Sequence, residues 1–279
     1  MKDIWKIKDK RVEIKKFLIM GILNTSPDSF YSGSSYPDLK QAIKRAVEMV
    51  KEGTDIIDVG GQSTRPGSKS ISEKKEIERV TPLIKELSKE IDIPISCDTY
   101  KAVVAEKAIE AGASIINDIS AFSMDAHLLN IIKKSDCGYV LMHMKGTPED
   151  MQVNPFYQDV VSEVFNFLYD KLSFIEKQGI DIERVVVDPG IGFGKRFEDN
   201  LVLLKNIEKF TEMKRPVLLG TSRKSFIGKI LNNIPPEYRL EGSIASAVIG
   251  YLKGVKIFRV HDVKETRQAL EVASAILSH

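Results

Sequence analysis

The stretch Val185–Lys195, VVVDPGIGFGK, runs from a β-branched apolar segment directly into a carboxylate, a proline and three glycines. Consecutive valines are typical of a buried strand, which the proline and glycines end abruptly. A P-loop requires glycine where Pro189 stands and Ser or Thr where Arg196 stands, so that motif is excluded. A dinucleotide-binding fingerprint requires glycine where Lys195 stands and is excluded as well. The carboxylate of Asp188 therefore either caps the next helix or belongs to a site beside a backbone that a flat ligand can approach closely.

Similar apolar runs alternate with amphipathic helical stretches along the whole chain. We predict eight strands, near residues 17–24, 55–61, 94–99, 114–119, 139–144, 185–188, 216–221 and 257–261, and helices that include 39–51, 72–90 and 264–277. Glycines typical of helix ends precede the second, fourth, sixth and eighth strands: Gly53, Gly112, Gly179 and Gly254. The pattern predicts an α/β fold, a single-domain (β/α)8 TIM barrel over residues 17–279. Residues 1–16 form a short N-terminal extension, a hairpin anchored by Trp5 and Val12.

Composition narrows the class of function. The formal net charge is only +2, which gives no overall field that favours nucleic acid. No apolar run approaches the roughly 18 residues of a membrane span, and the apolar stretch 17–23 lacks a signal-peptide cleavage site. Cys97 and Cys137 are far apart in sequence, which indicates buried reduced thiols. We therefore expect a cytoplasmic protein that binds neither nucleic acid nor membranes.

Two predicted connections are longer than packing requires. Residues 25–37 follow the first strand and residues 62–70 follow the second, and both are rich in Ser, Gly and Pro. Each begins at the carboxyl end of a strand, where barrel enzymes carry their chemistry. We expect both connections to act as lids, with simple disorder as the alternative.

Nearly every predicted strand stops at a polar or charged group. These groups are Asn24, Thr64 and Arg65, Asp98, Asn117 and Asp118, His143, Asp188, Ser222, Arg223 and Lys224, and Arg259 and His261. Each one alone is explained by a turn, a helix cap or a core contact. In a barrel, however, all of them lie on one rim, which predicts a site there.

The charges on this rim suggest the ligand. Arg259 and His261 are two residues apart on a strand and so face the same side. Arg65, Arg223 and Lys224 add positive charge that Asp98 and Asp188 do not obviously neutralise. We infer an anionic substrate, a phosphate rather than a carboxylate, with a neutral ring that donates to the two acids. Histidine spacing excludes a structural zinc site, but a magnesium ion needs few protein ligands, and Asn24 is a candidate.

In combination, these motifs resemble the dihydropteroate synthase family, whose members join a pterin to p-aminobenzoate. The resemblance covers about residues 17–277. It is carried by MGILN at 20–24 with SPDSF at 26–30, DVGGQSTRPG at 58–67, DT at 98–99, INDI at 116–119, LMHM at 141–144, DPGIGFGK at 188–195, SRKS at 222–225 and RVHDVKET at 259–266. Three positions depart from the family's pattern: Gln62 stands where many members have Glu, Thr25 and Ser26 replace a common Val-Thr pair, and Tyr100 stands where Ser is frequent.

The resemblance implies roles for individual residues. Lys224, Arg259 and His261 are the implied catalytic residues. The pterin would contact Asp98, Asn117, Asp188 and Lys224 at its edge, Arg259 over its face, and Met142 and Phe193 as pocket walls. The pyrophosphate and Mg²⁺ would be held by Asn24, Arg65, Arg259 and His261. The p-aminobenzoate would lie among Thr64, Pro66, Phe193 and Ser225. A homodimer is also implied.

The implied reaction displaces pyrophosphate from a dihydropterin by a dissociative substitution that Mg²⁺ assists, without a strong base. Three alternatives stay open. A pterin-binding methyltransferase barrel shares the pterin floor, but no cobalamin-binding DxHxxG motif occurs in the sequence. A Schiff-base aldolase would use Lys224 as its nucleophile. A non-catalytic paralogue would bind the pterin without turnover.

Overall fold

The computed structural model describes residues 3–25 and 38–278. Eight strands of the described residues form one parallel sheet, in the order β8 (Val185–Asp188), β7 (Gly138–Met142), β6 (Ile115–Asp118), β5 (Ile95–Asp98), β4 (Ile56–Gly60), β3 (Leu18–Asn24), β10 (Ile257–Val260) and β9 (Leu218–Leu219). A parallel bridge between Val187 and Val217 joins β8 to the segment that enters β9 and closes the barrel. The (β/α)8 prediction is confirmed.

The elements of the described ranges have these bounds. The strands are β1 Ile4–Ile7, β2 Lys10–Glu13, β3 Leu18–Asn24, β4 Ile56–Gly60, β5 Ile95–Asp98, β6 Ile115–Asp118, β7 Gly138–Met142, β8 Val185–Asp188, β9 Leu218–Leu219 and β10 Ile257–Val260. The helices are α1 Leu39–Lys51, α2 Glu73–Glu90, α3 Ala102–Ala111, α4 Leu128–Lys134, α5 Val160–Lys177, α6 Phe197–Lys205, α7 Ser225–Ile230, α8 Leu240–Leu252 and α9 Val263–Leu277. None of these described helices is long and apolar enough to cross a bilayer.

Local sequence explains several of the element boundaries. Asp38 caps α1 by accepting from the backbone N–H groups of Lys40 and Gln41. All four glycines predicted to end helices have φ between +81° and +121°, a region that other residues rarely adopt. The seventh barrel strand is the exception, since it spans only Leu218–Leu219 instead of 216–221. Pro216 has no N–H to extend its ladder.

The N-terminal hairpin closes one end of the barrel. Trp5 pairs with Val12 across the two antiparallel strands, β1 and β2. Trp5 is fully buried, and its indole donates to the carbonyl of Arg184 at 2.9 Å. It packs with the apolar layer at the amino-terminal ends of the strands, which includes Ile56 and Val186. The predicted hairpin and its Trp5 anchor are confirmed, and Val12 is only partly buried.

The inward-facing positions change in character along the barrel axis. On β10 the sequence passes from Ile257 in the apolar layer to Arg259 and then to His261 just beyond the strand. On β4 it passes from Ile56 to Asp58. The amino-terminal end therefore supplies packing, while the carboxyl-terminal end presents polar side chains.

Candidate active site

Arg259 lies between two carboxylates just below the barrel mouth. Its Nε donates to Asp58 Oδ2 and its Nη2 donates to Asp98 Oδ2, both at 2.7 Å. Asn117 Nδ2 donates to the same Asp58 oxygen at 3.2 Å. Asp58 is fully buried, and its Oδ1 has no hydrogen-bond partner within the described residues. These contacts join four strands of the barrel, β4, β5, β6 and β10, into one polar floor.

Asp58 is a site residue that sequence reasoning missed. A signal was available, because Asp58 falls inside the predicted strand 55–61, and a carboxylate buried in a barrel needs a cation. Its neighbour Asp98 has a pKa raised to about 7, chiefly by burial, with further increases from Asp58 and a decrease from Arg259. The floor therefore has a carboxyl group whose protonation state changes near neutral pH.

A cleft opens above this floor. Predicted residues that line it are Asn24, Thr64, Arg65, Asp98, Phe193, Lys224, Arg259 and His261. The ends of β3, β5 and β10 and the loops after β4, β8 and β9 contribute these side chains, so residues far apart in sequence converge on one mouth. Gln62, Ser222 and Arg223 complete the lining together with Ile22, Ser63 and Gly220.

Five predicted site residues lie next to the cleft without lining it. Asn117 is below, bonded to Asp58. Met142 and Asp188 are register partners on β7 and β8, and both are buried. Ser225 is the first residue of α7 and faces the neighbouring groove, while Pro66 is exposed in the 62–70 connection.

Lys224 covers one side of the cleft. Its ammonium lies 4.6 Å from the centre of the Phe193 ring and donates to the Ile191 carbonyl. Burial lowers the pKa of Lys224 to about 8, although Asp188 acts in the opposite direction. Burial also raises the pKa of Asp188, which accepts a 2.7 Å hydrogen bond from the N–H of Gly190. Lys224 and Asp188 thus stabilise each other's charged forms across the site.

The rim carries less positive charge than the sequence suggested. Arg223 turns to Asp262, to which it donates through Nε at 2.9 Å and Nη2 at 2.6 Å. His261 lies with Nδ1 3.0 Å from Ser222 Oγ, and its pKa is lowered to about 3 by burial first and by Arg259 next. The expectation that Arg223 adds uncompensated charge is wrong, because an aspartate three residues beyond Arg259 neutralises it. His261 is a neutral hydrogen-bonding group at pH 7.

The glycine-rich stretch positions Phe193. A Cβ atom added at Gly190 would lie 1.9 Å from the carbonyl oxygen of His143, so only glycine fits that close approach. Lys195 is buried, and its Nζ lies 2.9 Å from His143 Nδ1 and donates to Phe193 O at 3.0 Å. Asn200 accepts the N–H of Gly192 at 2.6 Å. His143 is thus a supporting core residue and lies outside the cleft lining.

The two connections predicted as lids have different outcomes. Residues 26–37 lie outside the described residues, so the lid there stays a prediction. The second connection is described: the N–H of Gly67 donates to Pro148 O at 2.8 Å, and Ser68 Oγ donates to Ser63 O and Arg65 O. It forms one wall of the cleft. Asp118, another strand-end residue, instead accepts from Ser120, Phe122 and Tyr139 behind the barrel wall.

The arrangement suits a flat, polar heterocycle that carries an anionic group. Carboxylates and an ammonium at the floor offer acceptors and a donor to a ring, and Arg259 offers a planar face. The opposite wall offers Asn24, Thr64, Arg65 and neutral His261 to an anion. The amide oxygen of Asn24 is a ligand type that Mg²⁺ prefers, and the ion ordinarily completes its shell with water and substrate oxygens.

Comparisons with known proteins agree with this geometry. Residues 20–261 match the profile of the pterin binding enzyme family. The chain is 44% identical to dihydropteroate synthase of Clostridium beijerinckii over 98% of this chain and 99% of that protein. It superposes with a TM-score of 0.94 on dihydropteroate synthase of Yersinia pestis in a sulfonamide complex, at 38% identity and 99% coverage of both chains. For the Xanthomonas albilineans dihydropteroate synthase with 4-aminobenzoic acid, the TM-score is 0.92 at 36% identity, with both chains fully covered.

Proposed function

The chain belongs to the dihydropteroate synthases of the pterin-binding enzyme family, and we propose that the cleft described above joins dihydropterin pyrophosphate to p-aminobenzoate by a dissociative substitution that Mg²⁺ assists. The observation that carries the proposal is the Asp58–Arg259–Asp98 floor beneath a polar wall at the carboxyl end of the barrel. One side of the cleft suits a ring and the other suits an anion, as such a substrate requires.

The pterin occupies the floor. Asp98, Asn117 and Asp188 hydrogen-bond its edge, Arg259 stacks on its face, and Met142 and Phe193 form its walls. Lys224 donates one N–H to the Ile191 carbonyl, and another N–H of the same ammonium donates to a pterin acceptor. Held between these groups, the ring shares the positive charge that develops on its methylene carbon as the C–O bond breaks.

The leaving pyrophosphate lies against the opposite wall. Arg65 and Arg259 supply positive charge to it, and His261 supplies a hydrogen bond. When bound, Mg²⁺ neutralises charge on the leaving group, and Asn24 is the residue that would hold it. The lowered pKa of His261 rises when an anion arrives, because the field of the neighbouring cations is then compensated.

The p-aminobenzoate lies among Thr64, Pro66, Phe193 and Ser225. Its amine is neutral at pH 7 and forms the new C–N bond to the methylene carbon made electron-poor by breaking of the C–O bond to pyrophosphate, after which the amine loses a proton to solvent. Orientation and charge stabilisation are sufficient for this step, and a strong base is unnecessary. Lys224, Arg259 and His261 are the proposed catalytic residues.

The test incubates the protein with dihydropterin pyrophosphate, p-aminobenzoate and Mg²⁺ and measures dihydropteroate and released pyrophosphate. Equal amounts of both products are expected, with none when p-aminobenzoate is omitted. Pterin binding without product would instead favour a non-catalytic paralogue. Methyl transfer from methyltetrahydrofolate would favour the methyltransferase, and borohydride trapping of a carbonyl compound on Lys224 would favour the aldolase.

We also propose that the chain forms a homodimer. An apolar groove between α6, α7 and α8 is lined by Leu201, Leu204, Ile227, Ile230, Leu231 and Ile249. Ile230 is 53% exposed and Ile249 is 48% exposed, which is unusual for residues so close together on a monomer. Sedimentation should give a dimer for the natural chain and a monomer for Ile249→Lys. A natural chain that sediments as a monomer at micromolar concentration would contradict the proposal.

A further inference from the structure

A buried ammonium outside the cleft lining has every donor satisfied. Lys101, the residue that precedes α3, is 7% exposed, and its partner Glu76 on α2 is 1% exposed. Lys101 Nζ donates to Glu76 Oε2 at 2.6 Å, to Gln62 Oε1 at 2.7 Å and to Ile71 O at 2.7 Å. An ammonium has three donors, so this set is complete.

The partners of Lys101 stand at the two ends of one connection. Gln62 begins the 62–70 connection, and Ile71 directly follows it. The N–H of Ile71 also donates to Gln62 Oε1 at 3.1 Å. The Tyr100 hydroxyl accepts from Gln62 Nε2 at 3.2 Å and lies 2.9 Å from Ser70 Oγ. Lys101 and Tyr100 therefore fasten both ends of the connection to the start of α3.

These hydrogen bonds matter because the connection carries two residues that line the cleft. Thr64 and Arg65 reach the cleft from it. Between the two ends of the connection, the N–H of Gly67 donates to the carbonyl of Pro148 in the rest of the chain. The hydrogen bonds of Ser68 are made within the connection itself. The hydrogen bonds at the two ends of the connection thus help, together with the Gly67–Pro148 bond, to place Thr64 and Arg65.

We propose that Lys101, held by Glu76, is a positioning residue. It fixes the 62–70 connection in the conformation that presents its side chains to p-aminobenzoate and pyrophosphate. The inference rests on the proposed function for the roles of Thr64, Arg65 and Pro66. The pterin floor is built from strand residues that hydrogen-bond one another, Asp58, Asp98, Asn117 and Arg259.

Two residues at the ends of this hydrogen-bond network distinguish this chain from the family's pattern. Gln62 and Tyr100 are two of its departures from the family's pattern, and their side chains touch. With the amide at position 62, the carboxylate that neutralises Lys101 comes from Glu76. Moving the carboxylate from position 76 to position 62 should therefore preserve the fastening, because one acid would still face one ammonium.

Four variants distinguish a role of Lys101 in positioning the 62–70 connection from a general role in stabilising the fold. Lys101→Met/Glu76→Gln removes both charges without leaving one buried and unpaired. Gln62→Glu/Glu76→Gln moves the carboxylate. Tyr100→Phe removes only the hydroxyl between Gln62 and Ser70 and remains informative if the first variant fails to fold. Lys107→Met is the matched control, since Lys107 forms an exposed ion pair with Glu110 on the same helix.

Limited trypsin digestion reports the order of the connection without any assay of activity. Lys69 is followed by Ser70, and cleavage between them requires the hydrogen bonds at this end of the connection to open locally. We expect cleavage after Lys69 to be about tenfold faster in Lys101→Met/Glu76→Gln and about threefold faster in Tyr100→Phe. The carboxylate-moved variant and Lys107→Met should match the natural chain.

Steady-state kinetics then test the consequence for the reaction. In Lys101→Met/Glu76→Gln, the KM for p-aminobenzoate should rise about tenfold and kcat should fall less, while the Kd for 6-hydroxymethylpterin changes less than about twofold. Unchanged cleavage after Lys69 would overturn the proposal, and so would parallel loss of pterin binding, which indicates general support. A natural chain that makes no dihydropteroate would contradict the proposed function, while the digestion still judges the fastening.

Discussion

Arg259 and Lys224 are both cations of the cleft, but only Arg259 holds two buried carboxylates. Replacing Arg259 with Met leaves Asp58 and Asp98 without their cation, which should cost about 3–5 kcal/mol of unfolding free energy. Lys224→Met loses a bond to one backbone carbonyl and the charge that faces Asp188, and about 1–2 kcal/mol is expected. Both variants should lose turnover by about 100-fold or more.

Urea unfolding and initial rates on the same preparations check this difference. Equal stability of the two variants would show that the carboxylates do not rely on Arg259. Turnover of either variant at the natural rate would remove that residue from the catalytic set.

Asp98 should make stability depend on pH in a specific direction. Its pKa in the folded chain is raised from 3.8 to about 7, so the folded state holds this proton more tightly than the unfolded state does. The contribution is complete below pH 4 and is lost as pH rises through 7. The free energy of unfolding, relative to Asp98→Asn, should fall by about 2–3 kcal/mol between pH 5 and pH 8.

The control for this prediction is Asp150→Asn. The pKa of exposed Asp150 is lowered by hydrogen bonds from Thr147, so that group stays ionised throughout the same range. Its difference from the natural chain should be constant between pH 5 and pH 8. If the stability of the natural chain relative to Asp98→Asn rose with pH instead, the carboxyl of Asp98 would not be the proton-holding group of the floor.

At the residue scale, sequence predicted the positions that end strands but missed the partners that hold them. Asp98, Arg259 and His261 were predicted because strand ends converge in a barrel. Asp58 was missed although its position inside a predicted strand was a signal. The Lys101–Glu76 pair was missed because the partner of a buried charge depends on distances between elements that sequence spacing does not contain. Asp262 was missed for the same reason.

The glycine-rich turn after β8 is the element whose backbone most restricts substitution. Gly190 has φ of +69°, and a Cβ there would collide with the carbonyl of His143. Gly179 has φ of +81° but nothing within 4 Å of an added Cβ, so it shares the strain without the collision. Gly190→Ala should cost about 3 kcal/mol and most of the turnover, whereas Gly179→Ala should cost about 1 kcal/mol and none.

Unfolding free energies and kcat of the two alanine variants test the role of this turn in placing Phe193. If Gly190→Ala kept the natural turnover, the turn would not position a wall of the cleft. If both variants were equally destabilised, backbone strain alone would explain the cost.

At the element scale, the sequence predicted helix ends better than strand lengths. Glycine at a helix end acts through neighbours a few residues away, and the four predicted helix-end glycines are confirmed. The length of β9 depends on its partners across the barrel closure, where Val187 and Val217 form only an isolated bridge. A strand boundary of that kind is set by tertiary contacts.

The whole molecule divides its tasks between the two ends of the barrel. Trp5 fills the amino-terminal end from the hairpin, far from the cleft in the fold. Trp5→Ala should therefore cost about 3–5 kcal/mol of stability and leave kcat within about twofold of the natural value for folded protein. Thermal unfolding and turnover measured well below the transition test this separation. A large loss of kcat in fully folded Trp5→Ala would contradict it.

At this largest scale, the number of β/α units was predictable because every unit has its own periodic pattern and stop signal. The convergence of the strand ends followed from the barrel itself. What sequence did not contain was the state of the cleft, in which Lys224 bonds to the Ile191 carbonyl and Asp188 does not line the open space. That state depends on packing between the loops after β8 and β9.

The proposed function depends on the floor of the barrel mouth binding a pterin ring through carboxylates from different strands. Calorimetric titration of 6-hydroxymethylpterin into the natural chain and into Asp188→Asn tests it, because the amide can retain the Gly190 contact while replacing a carboxylate oxygen by a donor. We expect one site per chain in the natural protein and binding about 30-fold weaker in the variant. Equal affinity in the two proteins, or no binding to the natural chain, would contradict this mode of pterin binding.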